Sequence, residues 1–298
     1  MSTTLTPQIE KPRTTAPRRP GRPGRLLRRL PVYLIVGVLL LIVVYPLVWL
    51  LLSSFKTQDE FLNKPFWTLP GQWSLSNYES AFTQAHMGTY LLNSVLTVFP
   101  ALFIALFVGV AAAFGLEVLV WRGRGSVLLY FLAGIMVPGQ MLLLPLFTIY
   151  FHLHLTGTRW PLIITYTAMA IPLTVFMVAT YFRAVPRELF EAATIDGAGV
   201  LRMFWSIGIP VVRNAIITVA LVQFFLLWND LLIALTFTND ESLRTVQVGL
   251  LNFTGQYGSV QYGPLFAAIS VSILGVLVFY LFLNQRVMRG LAAGSVKG

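Results

Sequence analysis

The feature that most constrains this chain is a series of six long apolar stretches, nearly free of charge and separated by polar segments. Each is at least as long as the roughly 20 residues that a helix needs to cross a bilayer. Because backbone groups must be paired in lipid, such stretches predict helices. Composition agrees, since 11% of residues are charged, against about 25% in soluble domains. The predicted fold is an all-α membrane protein with six transmembrane helices, at residues 31–55, 87–116, 126–151, 161–182, 211–238 and 262–283.

Composition also divides the chain into segments. Residues 1–30 are rich in Pro, Thr and Arg and predict a disordered basic cytoplasmic tail. The run at 31–55 is longer than a signal-peptide core of about 7–15 residues, so it predicts the first transmembrane helix. An external loop at 56–86 follows, then a core domain of five helices at 87–284 and a cytoplasmic C-terminal tail at 285–298.

The basic residues predict the orientation. With both termini in the cytoplasm, the cytoplasmic segments carry 17 Lys and Arg residues and the external segments carry 4. Lys and Arg are enriched on the cytoplasmic side of membrane proteins, so this orientation is favoured. The basic tail therefore indicates a topology signal, or alternatively a patch for anionic membrane lipid, rather than nucleic-acid binding.

The polar segment at residues 186–210, here called the elbow, predicts two short cytoplasmic helices joined by glycine. Pro186 suits the first position of a helix. Arg187 and Glu191 are four residues apart and can pair on one face. Gly197 is typical of a helix end. A second short helix, ended by Pro210, is expected from an apolar stripe formed by Leu201, Phe204, Trp205 and Gly208.

Two such helices predict a docking element for a soluble partner; the alternative is an ordinary amphipathic connector. The residues Glu191-Ala192-Ala193, Gly197 and Ile207-Gly208-Ile209-Pro210 resemble the E-A-A-x3-G-x9-I-x-L-P signature of permease subunits in binding-protein-dependent ABC importers. Ile209 stands where leucine is usual. The resemblance implies a loop at 183–213 that couples to an ATPase subunit through Glu191, Ala192, Ala193, Gly197, Ile207 and Pro210.

The same resemblance implies an assembly. It predicts a type I ABC importer permease fold in a bacterial or archaeal cytoplasmic (inner) membrane. The expected partners are a second homologous permease subunit, two ATPase subunits and an extracytoplasmic sugar-binding protein that touches the loop at 239–262. ATP and Mg would be bound by the partner ATPase, so no cofactor is expected in this chain. Transport would proceed by alternating access.

Other stretches resemble the sugar-importing, maltose-type branch of these permeases. They include Trp228-Asn229-Asp230, the stretch 248–258 and the closing residues 289–298, RGLAAGSVKG. The branch implies a solute of the oligosaccharide or polyol-phosphate class. The predicted function is therefore the permease subunit of an ATP-driven carbohydrate importer.

The sequence does not predict an enzyme. It has no Walker loop of the form G-x4-G-K-[ST], so ATP-driven work needs another subunit. The histidines, His86, His152 and His154, fall at predicted membrane edges, which argues against an intramembrane serine–histidine or zinc site. His152 and His154 are close enough for a metal pair, but an ordinary loop is the simpler interpretation.

Asp230 is the acidic residue nearest the middle of a predicted span. A carboxylate at the bilayer centre costs about 2.5–3.5 kcal/mol on insertion scales, so it should face water or a partner. One interpretation is that Asn229 and Asp230 border the translocation path or gate. The other is that Asp230 pairs within the bundle, or with the second permease subunit, and holds helix positions.

An ion-driven secondary transporter is the alternative function. It would show internal repeats and several membrane-embedded ionisable groups, and neither is evident. A membrane scaffold is less consistent with so specific an elbow. Uncharged polar residues in or near the spans suit hydrogen bonds to a sugar or, more commonly, to neighbouring helices; they are Asn93, Gln140, Asn214 and Gln223.

Overall fold

The computed structural model describes residues 24–255 and 259–294, and the side chains of residues 31–255 and 259–282. The described chain is helical apart from loops and one isolated β-bridge. It divides into two compact units after Val48. The helices are α1 (Gly24–Ser53), α2 (Gln58–Asn63), α3 (Ser76–Thr83), α4 (Met87–Glu117), α5 (Arg124–Met136), α6 (Leu143–His152), α7 (Trp160–Arg183), α8 (Glu188–Ile195), α9 (Val200–Met203), α10 (Ile209–Trp228), α11 (Leu232–Phe237), α12 (Val246–Gly249) and α13 (Tyr262–Gly294), with short 3-10 turns at Gly139–Leu142, Glu241–Leu243 and Leu250–Phe253 and a π turn at Phe204–Gly208.

The terminal helices are longer than the sequence predicted. Helix α1 includes the apolar span Pro31–Ser53, but it begins at Gly24, inside the segment expected to be disordered. Helix α13 continues to Gly294, through most of the expected C-terminal tail. Leu, Arg, Met and Ala in these extensions are good helix formers, which favours continuation of each helix. Residues 1–23 and 295–298 lie outside the described residues.

Helices α4 and α7 pack side by side and run in the same direction. Near their first turns, Arg159 donates to the amide oxygen of Asn93, with Nη2 and Oδ1 2.8 Å apart. At their far ends, Arg183 pairs with Glu117, with Nη2 and Oε1 2.6 Å apart. Two parallel helices of membrane length need a connection that crosses back, so the chain between them must span the bilayer once.

That crossing is made by α5 and α6, which bend by 88° at the break before Gly139. The span predicted at 126–151 is therefore present, but it is broken into two helices. Pro138 lacks an N–H, and the residue before a proline avoids the helical conformation. The two helices still follow α7 in one direction, so they form one broken span and the total is six. The successive contacts with α7 are Gly134 to Pro172, Gly139 to Met169 and Tyr150 to Thr165.

Helices α10 and α13 complete the bundle. Gln223 of α10 donates its amide N–H to the carbonyl of Ala170 in α7, at 2.9 Å. Phe279 of α13 packs on Phe224 of α10, with ring centroids 4.0 Å apart. Gln223, like Asn93, therefore bonds to a neighbouring segment, which is the commoner role of polar residues in membrane spans.

The second limb of the elbow continues into α10 without a break. A single helical run extends from Val200 to Trp228, so the prediction that Pro210 ends a short helix is wrong. The π turn contains a bond from the Ile209 N–H to the Phe204 carbonyl. Pro210 lies inside this continuous helix, directly after the π turn, and the irregular hydrogen bonding of that turn accommodates a residue that has no N–H.

Candidate functional site: the cytoplasmic elbow and the helix break at Asp230

The first limb of the elbow, α8, ends in a turn that requires glycine. The N–H of Ala198 bonds the carbonyl of Ala193 at 2.9 Å, and the N–H of Gly197 bonds the carbonyl of Thr194 at 3.0 Å. These two bonds form a Schellman motif. Gly197 has a φ of +77°, a region that strains any residue with a Cβ. The glycine break expected from the sequence is at this position.

The inner face of the elbow is anchored on the ring of Phe114, near the end of α4. Phe114 packs edge-on against Phe190 of α8, with centroids 6.1 Å apart. It also packs edge-on against Phe204 of the π turn at 5.3 Å and Phe182 of α7 at 5.8 Å. A Cβ on Gly208 would lie 3.1 Å from the same ring. One side chain therefore contacts both limbs of the elbow and a neighbouring span.

The outer face of the elbow is exposed and apolar at its tip. The side chain of Ile195 is 86% exposed and that of Leu201 is 75% exposed. An exposed apolar surface on a packed base is typical of a docking surface for another protein. Among the predicted coupling residues, Glu191, Ala192, Gly197 and Pro210 are exposed, Ile207 is half-buried and Ala193 is buried.

A cavity of about 310 Å³ lies between α8 and the ends of α4 and α7. The ion pair of Glu117 and Arg183 forms part of its wall, together with Arg187 and Glu191. The spacing of Arg187 and Glu191 allows them to pair, but the described residues contain no ion pair between them. Helix α8 begins at Glu188 rather than at the preceding proline, so Arg187 lies just outside the helix.

Span five is interrupted after Trp228, where the sequence placed its polar interruption. Oδ2 of Asp230 accepts the hydroxyl of Tyr166 at 2.8 Å and the N–H of Ala234 at 3.0 Å. Asp230 therefore caps α11 and ties it to α7. Both contacts are of the kind expected if Asp230 pairs within the bundle.

Asn229 lies beside Asp230 in the same break and is exposed. Its amide donates to the carbonyl of Phe225 at 2.9 Å, and its oxygen lies 3.5 Å from the amide nitrogen of Gln247. The preceding Trp228 is 6% exposed, and its indole N–H has no acceptor among the described residues. Asn229 and Asp230, the two residues predicted to border the gate, therefore lie in one non-helical segment. The unpaired indole N–H of Trp228 lies next to that segment.

A polar network at the opposite, external end was not predicted. The buried amide of Asn93 donates to the carbonyls of Ser242 and Arg244, at 2.7 and 3.0 Å, while its oxygen accepts Arg159. Asn93 therefore joins α4, the start of α7 and the loop at 239–262. The bonded positions are 149 and 151 residues apart, and no local pattern in the sequence links them.

A second set of bonds fixes the same loop. The hydroxyl of Tyr90 donates to Glu241 at 3.0 Å and accepts the amide of Asn252 at 2.7 Å. A backbone N–H from Ser242 holds the pKa of Asp240 below its usual range. A cleft of about 380 Å³ opens here, lined by His86, Thr89, Tyr90, Asp240, Glu241 and Ser242.

The external loop at 56–86 is also held by specific bonds. The amide of Gln58 donates to the carbonyl of Val260 at 2.7 Å and accepts the N–H of Tyr262 at 3.0 Å. The buried ammonium of Lys56 donates to the carbonyl of Phe66 at 2.9 Å, and burial lowers the pKa of Lys56. The loop and the start of α13 thus form one ordered external surface.

The histidine pair lies at the surface. His152 and His154 are exposed at the end of α6. No group of three or more His, Asp or Glu side chains suited to a metal lies within the described part of the chain.

The sequence of this chain is similar to those of known transport proteins. Residues 105–288 match the family described as binding-protein-dependent transport system inner membrane component. The chain is 36% identical over 257 residues to the diacetylchitobiose uptake system permease protein NgcG of Streptomyces coelicolor, covering 86% of this chain and 85% of that protein. It is 29% identical over 271 residues to the trehalose/maltose transport system permease protein MalG of Thermococcus litoralis, covering 90% and 97%.

The fold matches a solved structure as well. That structure is a bacterial ABC transporter involved in the import of the acidic polysaccharide alginate, matched with a TM-score of 0.74 and 20% identity, over 90% of this chain and 99% of that chain. At this level of identity the likeness shows that the two chains share a fold.

Proposed function

The chain belongs to the family of binding-protein-dependent transport system inner membrane components, and we propose that it is the permease subunit of an ATP-driven importer that carries a carbohydrate. The observation that carries this proposal is the elbow, whose exposed tip at Ile195 and Leu201 stands on a base anchored by Phe114. The matched relatives belong to transport systems for diacetylchitobiose and for trehalose or maltose, which supports a solute of the oligosaccharide class.

The proposed partner of the elbow is a separate ATPase subunit. This chain has no Walker loop, so ATP and Mg would bind to that subunit. The coupling residues Glu191, Ala192 and Gly197 are exposed on the surface that it would contact. The cavity beside α8 leaves room for a side chain of the partner. Two ATPase subunits, one for each of two homologous permease subunits, complete the proposed assembly.

The proposed cycle is alternating access. Closure of the ATPase pair moves the elbow, and the packed rings around Phe114 pass this movement to α4, α7 and α10 as rigid bodies. The break at Asn229 and Asp230 is the proposed gate of the translocation path. Asp230 keeps α11 attached to Tyr166 while the spans rock, so its role there is to position the gate segment.

On the external side, the proposed partner is a sugar-binding protein. The loop at 239–262 is held by Asn93 and Tyr90 and offers an ordered surface with a cleft beside Glu241. Contact with this loop would reach α4 and α7 through Asn93 and Arg159. The membrane is proposed to be the cytoplasmic membrane of a bacterium or archaeon.

Uptake measurements distinguish this function from an ion-driven transporter. Cells that contain the proposed second permease subunit, ATPase and sugar-binding protein are prepared with and without this chain. Both kinds of cell are then given a panel of labelled oligosaccharides. Uptake that requires the chain, stops when ATP is depleted and persists when proton and sodium gradients are dissipated supports the proposal. Uptake that stops with the gradients while ATP is retained would replace it with secondary transport.

A further inference from the structure

Two spans are broken at nearly the same depth, beside the same helix. The span formed by α5 and α6 breaks before Gly139, whose Cα packs against Met169 of α7. The break after α10 contains Asp230, which bonds to Tyr166 of α7. Met169 and Tyr166 are three residues apart, about 4.5 Å along the helix axis. Both breaks therefore lie within one helical turn of the same level.

That level is inside the bilayer. Helix α7 has 24 residues, and Met169 lies about 4 Å from its middle at the usual helical rise. Non-helical backbone at this depth does not face lipid, because lipid offers no partner for its polar groups. It is tolerated where it is buried in protein or lines a water-filled cavity.

The break before Gly139 is not buried by this chain. The side chains of Met136 and Met141 are 83% and 74% exposed, and Gln140 between them is also exposed. The Val137 N–H makes a long bond of 3.4 Å to the carbonyl of Gly134, and the following proline has no N–H. The carbonyls of Ile135 and Met136, the last two of α5, accept no hydrogen bond within the described residues and need partners from elsewhere.

Gln140 adds a polar side chain to this surface. Its amide makes no hydrogen bond within the described residues. An amide carries two donors and an acceptor, and leaving them unpaired in hydrocarbon is unfavourable. Asn229, the exposed amide in the other break, lies near the same depth.

We propose that the broken segment at residues 136–141 lines the aqueous passage for the solute, with Gln140 as a hydrogen-bonding group for sugar hydroxyls. The inference rests on the proposed transport function and names a part of its path. Two interrupted helices at one membrane depth place polar backbone and amide groups where a polyhydroxylated solute crosses. Water satisfies the same groups when no solute is present.

The chain has no cysteine, so a single introduced thiol reports one position. The test uses Gln140→Cys in the assembled complex, in opened membrane fragments that expose both sides. A charged, membrane-impermeant methanethiosulfonate is the probe. The protein is then denatured, and thiols that did not react are labelled with a fluorescent maleimide. The fluorescence of the gel band of this chain measures the unreacted fraction.

The matched control is Phe103→Cys. Phe103 is 70% exposed and lies near the middle of the unbroken helix α4. Because the reactive thiolate forms in water, Gln140→Cys is expected to react on the order of tenfold faster than Phe103→Cys. Met141→Cys serves as a second variant at the break and should behave like Gln140→Cys.

Two results would overturn the inference. The first is equal reaction of Gln140→Cys and Phe103→Cys. The second is protection of Gln140→Cys from both the charged reagent and N-ethylmaleimide, because a thiol in lipid or under another protein chain does not form the reactive thiolate. Absence of an ATPase from the unmodified purified complex would instead count against the proposed function, so the two failures are distinguishable.

Discussion

The ring of Phe190 lies edge-on to the ring of Phe114, with centroids 6.1 Å apart, and this contact joins the elbow to α4. Phe190 and Ala193 are the buried residues of α8, so the helix has few other attachments to the bundle. Edge-to-face aromatic pairs contribute about 0.5–1.5 kcal/mol beyond the burial of their area. A displacement of the elbow therefore reaches α4 through packed rings.

Phe190→Ala should weaken this attachment. We expect a loss of about 3 kcal/mol in the free energy of unfolding, as for other truncated core phenylalanines. We also expect fewer sugar molecules transported per ATP hydrolysed. Thermal unfolding and the ratio of uptake to hydrolysis measure the two effects. Phe103→Ala, at an exposed site on α4, is the control, and equal ratios in both variants would contradict the role given to Phe190.

Asp230→Asn should be much less harmful than Asp230→Ala. The asparagine oxygen still accepts from Tyr166 and the Ala234 N–H, the two bonds that Asp230 makes. Alanine leaves both donors unpaired and should cost about 1–3 kcal/mol. Thermal unfolding and ATP-dependent uptake of both variants provide the measurement. Complete loss of uptake in a stable Asp230→Asn protein would show that the charge itself is needed.

Asn93→Ala should release the external loop. It removes the donors to Ser242 and Arg244 and the acceptor of Arg159. Unpaired buried groups of this kind cost about 1–3 kcal/mol. Hydrogen exchange should therefore rise in residues 242–250. Thr148→Ala, whose exposed hydroxyl bonds only within its own helix, should leave that exchange unchanged, and unchanged exchange in Asn93→Ala as well would refute the prediction.

The external loop should also respond to acid through Glu60. A hydrogen bond from the Lys64 ammonium, with the Gly71 N–H, holds the pKa of Glu60 below its usual range despite burial. The folded pKa lies below the unfolded one, so this stabilisation is present above the unfolded pKa and is lost as pH falls through the folded pKa. The protection of residues 57–71 from hydrogen exchange, taken relative to the intrinsic exchange rate at each pH, should fall in that acid range.

Glu60→Gln tests the assignment of this pH dependence. The variant should show lower protection from exchange at neutral pH and little further loss of protection in acid. Glu79→Gln, at an exposed acid of the same loop, should retain the response of the unmodified protein. A full acid response in Glu60→Gln would assign the effect to another group.

Much of the fold was predictable because its signals are local. The lengths of the apolar stretches predicted the spans, and Gly197 predicted the end of α8. The 88° bend was not predictable from its proline alone. Pro100 and Pro172 also interrupt apolar stretches, yet α4 and α7 continue through them. Whether a proline breaks a span depends on neighbours, here the contact of Gly139 with Met169.

Part of the candidate site could be predicted from the sequence and part could not. The exposed elbow residues follow a spaced motif, so the sequence identified them as candidates for the coupling surface. The ring of Phe114 and the amide of Asn93 have ordinary positions in an apolar stretch, and their partners lie far away in sequence. Such contacts depend on which helices become neighbours, which periodicity does not specify.

The most direct test of the account is copurification of the ATPase with Gly197→Val. Gly197 has a φ of +77°, and no atom lies within 4 Å of the position that a Cβ would take, so valine should distort the elbow without a clash in the core. Gly157→Val is the matched control, because Gly157 has a φ of +78°, equally open surroundings and a place in the external loop between α6 and α7. The account predicts that both variants reach the membrane, and that Gly197→Val loses the ATPase while Gly157→Val retains it. Retention of the ATPase and of normal ATP-dependent uptake by Gly197→Val would contradict it.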